Sequence, residues 1–435
     1  MRRFFKAFRF AAILFGGLIA AALIYVGVSN WRSNSRLATK LAELRAAGQP
    51  VRLSDLAREP IPPEGNAATY LRRAKEDCKA IEKEVDAAYE TAPESDQDAF
   101  DEAQPTAAMI DSIRSALEAF PAAVPLINRA ADCPDYDSQL DYSTGARAFL
   151  DAQFSMNSSR TYIRVLRYRV FLLLAEGKPD EALETCITMF RLARHFDRDP
   201  TIVNHLVSLG CRWSANQTTA AVLRSGLVSN ALHDALEKEL AGQDLVAAAQ
   251  HALRTERPLG LELSHDMFAD TGVGWLPWFR KTRCDYLDLV GEAIAIVSLP
   301  RTDTAGRAKY KAILEGAWLA GLIDPGIQAM QDATLQGRAD MSCLRVLNAL
   351  TRNGEANGSA EPKLTELGLP VDATIDPFNG APLHLKKLPE GWLIYSVGAN
   401  LKDDGGDLED KKDVGLGPRR AVVMHLPDGD PESHE

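Results

Sequence analysis

The chain has 435 residues, of which 46% are hydrophobic and 25% charged, with a formal net charge of −11. That composition fits a folded body of two or three domains and excludes a disordered chain. With no basic stripe to offset the acidic balance, nucleic acid is excluded as the main partner.

The first forty residues contain no acid, and residues 10–28 contain no charge at all. A helix needs roughly 20 apolar residues to cross a bilayer, so this run is long enough. Arg2, Arg3, Lys6 and Arg9 precede it; Trp31 and Arg32 follow. The competing reading is a cleaved signal peptide, whose apolar run is usually about 7 to 15 residues before a small-x-small site. This run is longer and ends Tyr25-Val26-Gly27-Val28-Ser29, so it reads as an uncleaved anchor. The basic flank predicts a cytoplasmic N-terminus and a body in the periplasm or an equivalent outer space. Gly17 and Ala21 form a small-xxx-small pair of the kind that packs helices in membranes.

Residues 33–47 continue the helix outward, and Gly48-Gln49-Pro50 ends it. A connector follows at 53–63, where Ser54 offers one capped turn and Pro60, Pro62 and Pro63 force extended backbone. Residues 66–89 carry Leu71, Ala74, Cys78, Ile81 and Val85 at helical spacing, whereas the acid-rich stretch 91–106 reads as a solvated loop. Helical patterning returns at 107–120 and 122–131. Four amphipathic segments follow, at 146–176, 180–196, 200–225 and 229–241.

Within them, residues 172–183 look like the helix-turn-helix core of a tetratricopeptide repeat: Gly177 closes the first helix and Ala182 lets the second pack closely. No second copy follows at that period. Residues 244–268 form a helix interrupted by Pro258, and 271–279 an aromatic loop around Trp275 and Trp278 that either plugs the core or meets a membrane interface. Helices at 285–299, 304–322 and 325–353 complete the body.

From 353 to 360 the composition turns to Gly, Asn and Ser, a linker. Periodicity then switches to alternation, with short strands expected at 383–388, 392–397 and 421–426 and a turn at Pro389-Glu390-Gly391. The expected fold is mainly α: an N-terminal transmembrane helix, an array of helical hairpins and a small C-terminal antiparallel β module. The parts are 1–31, 32–353 and 354–435.

Asp376-Pro377-Phe378-Asn379-Gly380, Tyr395-Ser396-Val397-Gly398-Ala399-Asn400, Asp404-Gly405-Gly406 and Asp413-Val414 come in the order of the C-terminal motifs of the type II secretion major pseudopilin, which the last sixty or so residues resemble. The family's glutamate inside the apolar helix is missing from 10–28. The resemblance implies a bacterial protein of the inner membrane, and a calcium-binding loop. Asn400, Asp404, Asp407 and Asp413 are the candidate calcium ligands, with Asp403, Glu409 and Asp410 beside them around a Gly-Gly turn that suits a site of 6 to 8 oxygens.

None of the six cysteines lies in a metal-ligand spacing. Cys186 and Cys211 are equally far from the turn at 197–200, which predicts either a disulfide across the hairpin or two small core residues. No GxSxG, GxxxxGK, HExxH or GxGxxG motif is present. Glu262 and His265 share a helix face, but the second such pair that a di-iron bundle requires is missing. The expected function is a membrane-anchored scaffold with a protein partner. The alternatives are an envelope enzyme with a cleft near residues 256–266 and a secretion-apparatus component. A cleft enzyme places Glu262 and His265 in a pocket; a scaffold leaves them at the surface.

Overall fold

The computed structural model describes residues 2–156, 158–225, 228–269, 277–316, 318–354, 362–408 and 412–418. The chain is mainly helical and closes with a three-stranded antiparallel sheet.

Helix α1 (Arg2–Ala46) runs unbroken for 45 residues. In its first half Phe15, Leu18, Leu23, Ile24 and Tyr25 are all exposed. Water-facing helices do not leave so much apolar surface bare, and this is the one helix among the described residues long and apolar enough to cross a membrane. The second half is docked. Leu37 is buried, and Leu41 and Leu44 pack with it against the core side of α12 (Pro277–Ile296). Asp288 of α12 takes ion pairs from Arg36, at 2.9 Å, and from Lys40 one turn further along α1. The boundary expected at residue 31 therefore falls inside a continuous helix, whose apolar half is joined to the body without a break.

In α2 (Ala67–Thr91) the predicted face Leu71, Ala74, Cys78, Ile81 and Val85 is buried throughout, and Asn66 caps the helix by accepting the Ala68 N–H at 3.0 Å. The expected acidic loop is corrected: it contains α3 (Glu94–Asp101). Glu94 and Asp96 occupy the first turn, where the helix dipole favours acids. Phe100 then docks on Tyr89 and Phe171, ring centroids 5.5 and 5.6 Å away. Helices α4 (Ala107–Ala119) and α5 (Ala123–Ala131) complete this face.

The single helix expected over 146–176 is two, α6 (Ala146–Met156) and α7 (Ser159–Ala175). Then come α8 (Pro179–Phe196), α9 (Ile202–Arg224) and α10 (Asn230–Ala241). Between α7 and α8, Gly177 takes φ +71°, and Lys178 donates its N–H to the Leu173 carbonyl at 2.9 Å. This closure suits glycine, and Ala182 beyond it is fully buried.

Of the two readings of Cys186 and Cys211, the structure has the second, two small core residues. Ser208 donates to the Ala193 carbonyl at 2.9 Å and ties the two helices together near the turn. Both thiols are free and buried.

Helix α11 (Leu245–Ala269) runs through Pro258, where an interruption was expected. The Tyr286 hydroxyl donates to the Glu256 carbonyl at 3.1 Å, serving an acceptor beside the proline. A Cβ at Gly260 would overlap that hydroxyl, so glycine is what admits it. After α13 (Ala308–Gly316), α14 (Trp318–Arg352) likewise passes through Pro325. The aromatic loop lies mostly outside the described residues, its last three residues opening α12; most of the linker and the strand at 421–426 also lie outside them.

Strands β1 (His384–Leu388) and β2 (Gly391–Ser396) form the expected hairpin, and β3 (Val414–Leu416) pairs with the other edge of β2. Trp392, Ile394 and Leu416 join the hydrophobic core of the helical body.

All six cysteines are buried, and burial pushes the thiols of Cys78, Cys186 and Cys211 up to about 12. A thiol reagent at neutral pH is expected to modify none of them in the folded protein and all six after denaturation; release of only four would restore the disulfide.

Candidate functional site

The four calcium candidates share one loop. Asn400 donates its amide to Asp404 at 2.6 Å, Lys412 pairs with Asp407 at 3.0 Å, and Asp413 accepts the N–H groups of Gly406 at 2.7 Å and Asp407 at 3.2 Å. Asp413 is 1% exposed; burial pushes its carboxyl up while those N–H groups act against the shift. Among the described residues no three His, Cys, Asp or Glu side chains are grouped to hold a metal ion, and Glu409 and Asp410 lie outside those residues. Asp376, which opens the motif, accepts from the Phe378 and Val397 N–H groups and the Ser396 hydroxyl, all within 2.9 Å. It pins the loop to the end of β2.

The α11 cluster is likewise used for joining. Glu262 accepts the Leu53 N–H at 2.9 Å, and Arg257 donates to Gln49 at 2.6 Å, so α11 grips the connector that follows the anchor helix. His265 is exposed. Glu256 accepts the Ile202 N–H at 3.0 Å, capping α9 from outside; burial pushes its carboxyl up. The geometry that separated enzyme from scaffold in the sequence has Glu262 on a backbone and His265 at the surface.

The polar centre of the body lies elsewhere, in the five residues between α8 and α9. Asp197 holds the Arg212 guanidinium through both carboxylate oxygens, and Arg212 also donates to Ser208 at 2.6 Å and Gln243 at 2.9 Å. Burial alone would raise the Asp197 carboxyl, but Arg212 and His205 hold it well below the usual carboxylate range. His205 Nε2 lies 3.0 Å from Thr334 Oγ1, and Nδ1 lies 3.8 Å from Asp197. Acid, imidazole and hydroxyl stand in the order of a nucleophilic relay. Thr334 is fully buried, however, and donates to the Met330 carbonyl at 2.8 Å, so no substrate reaches it.

Two residues further on, Asp199 faces a cavity of about 130 Å³ between α2, the segment 136–140 and the start of α7. Asn66 clamps that segment, its amide bonding the Asp137 N–H and carbonyl at 3.0 Å each. Asp199 accepts the Ser138 hydroxyl at 2.6 Å and the Tyr136 hydroxyl at 3.0 Å. Enclosure pushes its carboxyl up to about 6, despite those two bonds. The sequence offered no sign of this beyond a turn residue, because Ser138 and Asp199 are 61 positions apart.

A larger groove of about 510 Å³ lies between α5, α7, α8 and α10. Its charges alternate in sign, with Asp132, Glu181 and Glu184 beside Arg169 and Arg191, over apolar Leu173, Ile187 and Leu232.

Two pH effects of opposite sign follow. Asp197 is depressed in the folded state, so its contribution is present at neutral pH and is lost as pH falls below the unfolded value of about 4. Asp197→Asn is expected to cost about 3–5 kcal/mol at pH 7 by chemical denaturation, with the gap narrowing in acid. Asp199 is raised, so its stabilisation is present below about pH 4 and lost as pH rises through 6. Between pH 4.5 and 7.5 the wild type should therefore lose on the order of 1–3 kcal/mol relative to Asp199→Asn; parallel pH profiles would refute the assignment.

No family model, no curated protein and no solved structure matches this chain.

Proposed function

We propose that the protein is a single-pass membrane scaffold of the bacterial cell envelope, with its N-terminus in the cytoplasm and its helical body in the periplasm presenting a groove to a protein partner. The observation that carries this reading is the groove between α5, α7, α8 and α10, whose charges of both signs line an apolar floor. That surface suits a polypeptide segment, which offers side chains of both charges and apolar anchors together. The docked half of α1 supports it: ion pairs to Asp288 hold the body at a fixed attitude to the span, as a platform requires. The acidic groups best placed for chemistry in the sequence serve instead as joints, which favours a binding role over the enzyme reading.

The test is a photoreactive residue placed at half-buried Thr188 in the groove, with exposed Glu315 as the control position. Irradiated membranes should yield a discrete protein adduct from position 188 and none from 315, and Glu181→Arg with Glu184→Arg should reduce it several-fold. Equal labelling at both positions, or an adduct indifferent to the charge reversal, would remove the scaffold reading.

A further inference from the structure

Asp199 is a half-buried acid that makes no ion pair among the described residues. Both of its hydrogen bonds come from neutral hydroxyls, and the charged residue acting on it is Asp137, of like sign. The neighbouring acids are served differently, Asp197 by a guanidinium and Glu256 by a backbone N–H. A carboxylate taken out of water without a counter-charge is costly, and the cost is relieved either by a proton or by a cation brought in from outside.

The cavity is built for the second. Tyr136, Tyr162 and Phe196 line it together with Asp199, and aromatic faces beside a carboxylate are the chemistry that receives an ammonium group. Lys75 and Arg72 line the same cavity and give it a positive pole. A simple cation meets repulsion there, and a simple anion meets repulsion from Asp199. Only a molecule carrying both charges satisfies both poles.

Volume limits the rest. A cavity of about 150 Å³ takes a molecule the size of benzene, so 130 Å³ has room for roughly six heavy atoms, the size of alanine. We propose that this cavity binds a small zwitterion of the α-amino-acid class, with its ammonium on Asp199 and the surrounding rings and its carboxylate on Lys75. The site is separate from the groove that carries the scaffold reading, and neither depends on the other.

Isothermal titration of the detergent-solubilised full-length protein at pH 7.5 tests this with three probes: L-alanine, ethylamine and propionate. L-Alanine should bind saturably, and each half-ligand at least about tenfold more weakly. Asp199→Asn should weaken L-alanine at least about tenfold, while Lys75→Met should weaken L-alanine but not ethylamine. The comparison of the three probes on the unaltered protein stands even if a variant fails to fold. No binding of L-alanine up to about 10 mM overturns the proposal, as does a half-ligand that binds as tightly or an Asp199→Asn variant with unchanged affinity.

Discussion

The pairing of Asp197 with Arg212 is the interaction on which the helical body depends. Five residues join α8 to α9, and together with Ile202, His205 and Arg212 of α9 they attach four other parts of the chain. Arg212 reaches Gln243 after α10, and Gln243 in turn holds the Phe190 carbonyl at 3.2 Å. His205 reaches Thr334 on α14, Thr201 and Ile202 bond Thr255 and Glu256 on α11, and Asp199 holds Tyr136 and Ser138. A buried ion pair is often no more stabilising than well-packed apolar residues. What this one provides is register, since it fixes how far α9 slides along α8 and hence what each turn of α9 meets. Thr201 shows the force of that constraint. It holds φ +84° and ψ 155°, a conformation costly for a β-branched residue, and its N–H is fastened to Thr255 at 3.0 Å. Such strain, of order 1–3 kcal/mol, persists only where the surroundings determine the backbone from several sides.

A second set of joints settles how the body is carried. Asp288 grips α1 from α12, and Arg257 and Glu262 grip the connector from α11. A continuous helix of 45 residues extends about 68 Å, more than twice what the bilayer core requires. The surplus is rigid rod packed on α12, where a glycine-rich linker would have let the body tumble. The position of the body relative to the apolar half of α1 is thus a property of the fold.

Much of this architecture was legible in the sequence because apolar periodicity follows burial directly. The faces of α2 and α8, the closing Gly177 and the β1–β2 hairpin all lay in local pattern. The errors share a cause: local rules were outvoted by contacts distant in sequence. Charge density at 91–106 suggested a loop, but Phe100 found Phe171 and Tyr89. Pro258 suggested a break, but the helix carries on through it and packs on Tyr286, whose hydroxyl reaches the Glu256 carbonyl. Spacing left Cys186 and Cys211 open between a bridge and two core residues, because register is set by Asp197, Ser208 and Arg212 rather than by distance from the turn. The Asp199 cavity was invisible for the same reason, since its walls come from α2, the segment 136–140, α7 and the α8–α9 corner.

The donors that face an acid separate its possible roles better than its exposure does. Asp376, Asp413 and Glu256 are served by backbone N–H groups, which are fixed in direction and can only donate. Such an acid is held as an acceptor, and its role is to pin a turn or cap a helix. Asp197 is held by a guanidinium, which never gives up its charge and so commits its partner too. Among the described residues Asp199 is met by hydroxyls, and a hydroxyl can rotate to donate or to accept. The carboxyl can therefore gain or lose a proton, or exchange one partner for a ligand, without displacing a helix. Of the acids at this corner it is the one whose surroundings tolerate a change of state, and it is the one that opens onto a cavity.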